Sequence, residues 1–363
     1  MRRLITWSFV FLAWFILPSL GWSAQRDPDE ILRELDATPI PKPSATLDRK
    51  SFREFMDERE RVLHRRAHLI VELFHAKPDH RQLIELFPIR WEWIVTSEPA
   101  TVDREASEVL ARSTDPVLIG HASFYKAYAS IMAASILETI PKPVESFLER
   151  EPDDERGGKL LLLIATNIHA SITERKKIFD RIVEGYPASR EARRAESSLR
   201  RLDAIGSPFI LDFTDMMTGK QISVEEMDGK IIVIDFWASF SAASVAELAR
   251  LHRLHAKYHD QGVEFIDVNL DKPDGEDGIA KLKAFISENE ISWPQYCSAD
   301  GSQRKFAHEA GVDSIPMQFV VAPDGVLYST EARGKLDTII PELINRRNRE
   351  RSLAGSRQTV EDE

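Results

Sequence analysis

The run Ile231–Trp237, with the sequence IIVIDFW, constrains the fold of this chain more than any other feature. Apart from Asp235, every residue in the run is a large apolar residue that favours a β-strand. Polar residues do not alternate with apolar ones, which is typical of a strand buried on both faces of its sheet. The sheet must therefore carry helices on both faces, and the chain must supply them.

The segments that follow the run supply such helices. We predict helices at 242–260, 277–290, 302–310 and 335–347 and strands at 263–270, 317–322 and 326–331. A strand–helix–strand unit followed by a hairpin and a final helix indicates a mixed central sheet. Residues 206–347 are thus expected to form one domain of α/β/α architecture.

The amino-terminal half has a different pattern. In residues 25–205 apolar side chains recur at helical spacing, which predicts an all-α domain. Its predicted helices lie near 49–75, 79–96, 101–112, 118–138, 143–150, 156–168, 172–185 and 188–204. The turns at Pro78 and Pro187 resemble tetratricopeptide-like hairpins, but a sustained period near ~34 residues is missing, so a plain helical bundle is the alternative. Gly206 and Pro208 end the last helix. The predicted fold class is therefore α+β with two domains.

The two ends of the chain are expected to lie outside both domains. Two arginines precede an apolar run from Leu4 to Leu17, and small residues follow, so residues 1–24 are predicted to be a secretory signal peptide. An uncleaved anchor is the alternative, but the run is shorter than the ~20 residues that span a bilayer. No membrane span is expected after cleavage. The charged segment 348–363 is predicted to be a disordered tail.

Charge, cysteine count and the lack of certain motifs exclude several kinds of binding site. The formal charge is −11, which excludes a nucleic-acid binder that needs a basic face. Cys297 is the only cysteine, so no disulfide can form within the chain. The sequence has no phosphate-binding loop and no ligand set at metal-binding spacing, so neither a cofactor nor a metal is expected.

Five segments of the second half occur in a characteristic order. They are GKIIVIDFWA at 229–238, GVEFIDVNLD at 262–271, ISWPQ at 291–295, GVDSIPMQFVVAPDGVL at 311–327 and the helix after Gly334. In this order they resemble the thioredoxin-like redoxin family, in particular its exported TlpA-type branch with the alkyl hydroperoxide reductase/thiol-specific antioxidant fold. The resemblance covers residues 207–346, about two fifths of the chain. It implies a thiol-disulfide oxidoreductase fold and family.

The resemblance also places the family's redox site on this chain. The two cysteines of the family's Cys-x-x-Cys align with Ser241 and Ser244. Asp235 aligns with the buried acid that assists the thiols, and we expect it to be a vestige, or else a hydrogen-bonded core acid. Because a serine hydroxyl forms no disulfide, no catalytic residue is expected here. Ser241 is instead expected to cap the helix.

A second part of the family site is a groove for an extended peptide. Pro316 aligns with the family's cis-proline, and Ile315 and Phe240 are expected to border the groove with it. Ser314 replaces a frequent glycine and Met317 a frequent threonine, so the groove is expected to be reshaped rather than lost.

Three functions are compatible with these features. The leading one is a protein- or peptide-binding or scaffolding module of the periplasm or cell envelope that has lost the redox pair. The second is the family's oxidoreductase or antioxidant activity, through Cys297 or a mixed disulfide with a partner. The third is partner binding by the helical domain, with the redoxin domain as a platform. Whether the protein is an enzyme stays open, with binding favoured.

Overall fold

The chain divides into two compact units, Met1–Ala133 and Ala134–Glu363. The computed structural model describes residues 26–43 and 48–361. The predicted signal peptide, residues 1–24, lies outside these ranges. None of the helices in these ranges combines the length and the apolar character that a membrane span requires.

The regular structure described in the first unit is helical. Its helices are α1 (Pro28–Asp36), α2 (Arg49–Ala76), α3 (Leu83–Ile94), α4 (Pro99–Arg112) and α5 (Pro116–Met132). An aspartate stands immediately before each of α1, α2 and α5. Its side chain accepts a hydrogen bond from a backbone N–H of the first turn. The core is aromatic, with Phe87 stacked on Trp91 at a centroid distance of 4.5 Å. The buried carboxylate of Glu105 is balanced by Arg90 at 2.6 Å and by the indole N–H of Trp91 at 3.1 Å.

The second unit begins with helices as well. They are α6 (Lys142–Arg150), α7 (Arg156–Asn167), α8 (Ile172–Gly185) and α9 (Arg190–Ala204). Together with α1–α5 they confirm the predicted all-α character of the amino-terminal half. A tetratricopeptide-like repeat stays a prediction.

The sheet region follows α9. Its elements are β1 (Asp212–Thr214), β2 (Gln221–Ser223), β3 (Ile231–Trp237), α10 (Ala242–Tyr258), the 3₁₀ helix His259–Gln261, β4 (Val263–Asn269), α11 (Gly275–Glu288), β5 (Gln295–Tyr296), α12 (Ser302–Glu309), β6 (Met317–Val321), β7 (Leu327–Ser329) and α13 (Leu336–Glu361). β1 and β2 form a small antiparallel pair. The main sheet has the strand order β5-β4-β3-β6-β7, with β3 parallel to β4 and antiparallel to β6. The mixed sheet is thus confirmed.

The central strand β3 is buried along its whole length, and its alternate residues enter two different cores. Ile231, Val233 and Trp237 pack with apolar residues of α10, α11 and α13. Ile232 and Ile234 belong to the core on the other face, which includes residues of α12. This arrangement explains why the sequence of β3 shows no polar alternation.

The structure differs from the sequence-based expectations in four places. Helix α1 and the short strands β1, β2 and β5 were not predicted. α13 continues to Glu361, whereas residues 348–363 were predicted to be disordered. Once α13 has formed, adding further residues to its end is easier than starting a new helix. Charge pairs one turn apart, such as Arg346 with Glu350 at 3.7 Å, stabilise this added part. The predicted boundary at 205–206 marks the change of secondary structure, whereas the second compact unit begins at Ala134 and so includes α6–α9 together with the sheet region. Arg175 of α8 and Arg201 of α9 donate hydrogen bonds to residues of the sheet region.

Candidate functional site

The turn between β3 and α10 forms the centre of the candidate site. Ser241 precedes α10, and its Oγ accepts a hydrogen bond from the backbone N–H of Ser244 at 3.2 Å. This is the capping arrangement expected of serine at a helix start. Ser239 donates its N–H and its hydroxyl to the carboxylate of Asp271 at 2.8 and 2.7 Å. The turn is therefore fixed to the segment that follows β4.

Two side chains of this turn differ in exposure. Phe240 is 74% exposed, whereas Ser244 is 1% exposed. No hydrogen-bond partner of the Ser244 hydroxyl is found among the residues that the structure describes. The turn therefore presents an aromatic ring to solvent and keeps a hydroxyl in the interior.

Asp235 lies in β3 and is 2% exposed. Burial raises the pKa of Asp235 to about 7, and the negative charge of Glu247 acts in the same direction. Its partner across the β3–β4 pair is Asp267, which is 1% exposed. Burial, together with the charge of Asp235, raises the pKa of Asp267 well above its usual value. Two adjacent carboxyl groups in a low-dielectric interior strongly disfavour double ionisation.

The two aspartates belong to a buried polar row that crosses four strands. Gln318 of β6 lies opposite Asp235, and Gln295 of β5 lies opposite Asp267. The side-chain amide of Gln295 donates to the Asp267 carboxylate at 2.8 Å. Sequence reasoning missed Asp267 and both glutamines. The available signal was that Asp267 and Asp235 each occupy the fifth position of a strand in which most residues are apolar.

Ile315 and Pro316 lie at the same end of the sheet as the turn. The Ile315–Pro316 bond is cis, and Pro316 is buried. Met317 begins β6 and pairs with Phe236, one residue before the end of β3. Since Ser241 follows shortly after that end, the strand register brings the Ile315 and Ser241 segments to one edge. Within the described part of the chain, the N–H and C=O of Ile315 take part in no backbone hydrogen bond.

The site falls within a segment that matches a known family. Residues 207–330 match the model of the AhpC/TSA family. This segment is an AhpC/TSA-family domain. The resemblance to the thioredoxin-like redoxin family that the sequence indicated is thereby confirmed.

Curated relatives of the AhpC/TSA domain are named "Thiol-disulfide oxidoreductase ResA". The one from Halalkalibacterium halodurans is 21% identical over 150 residues, which cover 41% of this chain and 79% of that protein. The one from Bacillus thuringiensis is 28% identical over 109 residues, which cover 30% of this chain and 58% of that protein. Among solved structures, the thioredoxin domain of a thiol-disulfide oxidoreductase from Bacteroides vulgatus is 21% identical, with a TM-score of 0.33, and the match covers 39% of this chain and 98% of that chain.

Cys297 follows β5 in the AhpC/TSA domain and is 8% exposed. Burial raises the pKa of the Cys297 thiol to about 11, and the nearby charge of Asp271 acts in the same direction. The side-chain amide of Gln303 donates to its Sγ at 3.6 Å. A thiol with this pKa is almost fully protonated at neutral pH and is therefore a poor nucleophile.

Helix α9 supports the loop that precedes Pro316 in the AhpC/TSA domain. Gly311 adopts a left-handed conformation with φ of 78°, and a Cβ there would collide with the carbonyl oxygen of Ser197 in α9. Arg201 of α9 donates to the carbonyl of Gly311 and, at 2.8 Å, to the hydroxyl of Ser198. The helices before the domain thus help to build the surroundings of the site. Sequence reasoning missed this contact, since the arginine and the glycine are 110 residues apart.

The described residues contain no group of three or more His, Cys, Asp or Glu side chains that could hold a metal ion. The expectation that the site uses neither a metal nor a cofactor stays a prediction.

Proposed function

We propose that this protein binds an extended segment of a partner protein along the Ile315 edge of its AhpC/TSA domain. The Ile315 edge comprises the main chain of Ile315 and the adjoining turn with Phe240 and Ser241. The observation that carries the proposal is the main chain of Ile315, whose N–H and C=O have no backbone partner within the described ranges. An extended peptide satisfies such groups by main-chain hydrogen bonds, as in other strand-addition complexes. The exposed ring of Phe240 supplies an apolar contact beside them.

We further propose that the protein performs no thiol–disulfide exchange of its own. The relatives are named thiol-disulfide oxidoreductases, and that chemistry needs a thiolate that attacks a sulfur. The support is that the family resemblance aligns Ser241 and Ser244 with the two redox cysteines, and that Cys297 is the only cysteine of the chain. The buried, protonated thiol of Cys297 gives little support to the alternative in which it acts as the nucleophile.

The proposed location is the periplasm or cell envelope. The support is the apolar run from Leu4 to Leu17 with its preceding arginines and following small residues. An extended segment of another exported protein is then the proposed partner. Binding by the helical region alone is the remaining alternative, and the following experiment separates it from binding at the Ile315 edge.

The test is a nuclear magnetic resonance titration of the ¹⁵N-labelled chain without residues 1–24, using a pool of random ten-residue peptides as the probe. We expect the amide resonances of Ile315, Phe240 and Ser241 to shift, because a bound strand contacts these groups first. Shifts confined to the helical half, residues 26–205, would support the helical alternative and contradict the proposal. An unchanged spectrum at saturating peptide would also contradict it.

A further inference from the structure

A cavity of about 320 Å³ lies directly beside Pro316. Its walls come from α7, α9, the loop before β6 and the segment after β7. Ser314 and Pro316, the two sequence neighbours of Ile315, both line it, so the cavity adjoins the Ile315 edge. The volume lies within the range of pockets that hold small ligand groups, about 300–1,000 Å³.

The acidic side chains of this cavity are already paired. Asp313 lies 3.4 Å from Arg201 and 3.6 Å from Arg194. Glu331 accepts two hydrogen bonds from the guanidinium of Arg175, at 2.6 and 2.9 Å. Their negative charges are therefore offset mainly by arginines from α8 and α9, and Lys335 acts on Glu331 only through space, without an ion pair.

Two further cations line the cavity. Arg333 and Lys335 are exposed, and neither side chain makes a hydrogen bond or an ion pair within the described ranges. Thr330, which is 1% exposed, also lines it, and its hydroxyl has no partner among the described residues. We call the space bounded by Pro316, Thr330, Arg333 and Lys335 the cationic cavity. It places two cations that form no ion pair in the described part of the chain next to each other, in a protein whose formal charge is −11.

We infer that the cationic cavity binds a carboxylate of the peptide that occupies the Ile315 edge, an inference that rests on the proposed function. Arg333 and Lys335 provide the charged donors, and the buried hydroxyl of Thr330 provides a neutral one. Hydrogen bonds between cations and a carboxylate are stronger than neutral ones, so the cavity selects acidic segments. The rest of an acidic surface repels such segments, which makes the local cations decisive for specificity. The carboxylate can come from an acidic side chain or from the carboxyl terminus of the partner.

The experiment compares matched pools of random ten-residue peptides by fluorescence polarisation. One pool carries a glutamate at a fixed central position and an amidated terminus, the second has glutamine there with an amidated terminus, and the third has glutamine with a free terminus. The proteins are the parent chain, Arg333→Gln with Lys335→Gln, and Lys283→Gln. The last variant removes an exposed charge from α11 and serves as the control.

We expect one of the two carboxylate pools to bind the parent chain at least about tenfold more tightly than the pool without a carboxylate. The better pool shows whether the carboxylate is a side chain or a terminus. The double variant should abolish that preference and leave the binding of the carboxylate-free pool within about twofold, and the Lys283→Gln control should keep the preference. Equal binding of all pools to the parent chain, or an unchanged preference in the double variant, would overturn the cavity assignment while leaving peptide binding intact. Failure of every pool to bind would refute the proposed function itself.

Discussion

Replacing Asp235 with asparagine should change how the stability of the protein depends on pH. Burial raises the pKa of Asp235 to about 7 in the folded chain, whereas an aspartate in the unfolded chain titrates near ~4. The folded form therefore binds more protons than the unfolded form between these two values. The free energy of unfolding must fall as pH rises through this window and level off above it. The free energy of unfolding falls by about 1.4 kcal/mol for each pH unit in the window, so the total fall is about 4 kcal/mol.

Asparagine does not ionise, so Asp235→Asn should lack this contribution. We expect the unfolding free energy of the variant minus that of the parent to increase by at least about 4 kcal/mol between about pH 4 and pH 8, because removal of the Asp235 charge also lowers the pKa of Asp267. Urea unfolding followed by tryptophan fluorescence at each pH measures the difference, and any constant effect of the amide cancels. Asp228→Asn, at an exposed position, controls for the loss of one charge. Parallel pH profiles of the Asp235→Asn variant and the parent would show that the pKa of Asp235 is not raised in the folded protein.

Three further outcomes are expected. Gly311→Ala should lower the free energy of unfolding, measured in urea, by about 2–5 kcal/mol, because the new Cβ both collides with the backbone of α9 and is strained at a left-handed φ. Gly325→Ala, at φ of 75° but with open space around the Cβ, should lower it by only about 1–2 kcal/mol. Equal losses in the two variants would show that the contact with α9 is unimportant. Cys297 should react with iodoacetamide at pH 7 at least about a hundredfold more slowly in the native protein than in urea, and comparable rates would contradict its burial. Ser241→Cys with Ser244→Cys should close a disulfide on mild oxidation, since first-turn spacing suits a bridge, and mass spectrometry should then find Cys297 as the one free thiol; three free thiols would argue against this alignment.

The sequence predicted those elements whose signals are local. β3 was evident because a strand buried on both faces is apolar at almost every position. α10 was evident because a serine at position 241 can cap a helix, and Ser241 does so in the structure. β5 has only two residues, Gln295 and Tyr296, which is too short for any periodic pattern to appear.

The missed parts of the candidate site depend on contacts that are distant in the sequence. The pairing of Asp235 with Asp267 follows from the register of β3 and β4, which no single strand specifies. One wall of the cationic cavity depends on the packing of α9 against the loop at Gly311. Arg201 of α9 contacts Gly311 only in the folded chain, because the two residues are distant in the sequence. Both features involve polar residues whose role is set by neighbours in space rather than by pattern.

Binding at the Ile315 edge should need no thiol, and a variant without any cysteine tests this requirement. Cys297→Ala removes the only sulfhydryl group of the chain. The measurement is the dissociation constant of the random peptide pool for the parent and the variant, in the presence and absence of a reductant. We expect values within about twofold in all four conditions, because main-chain hydrogen bonds supply the interaction. Loss of binding in Cys297→Ala, or a peptide adduct of the parent that a reductant releases, would contradict this expectation.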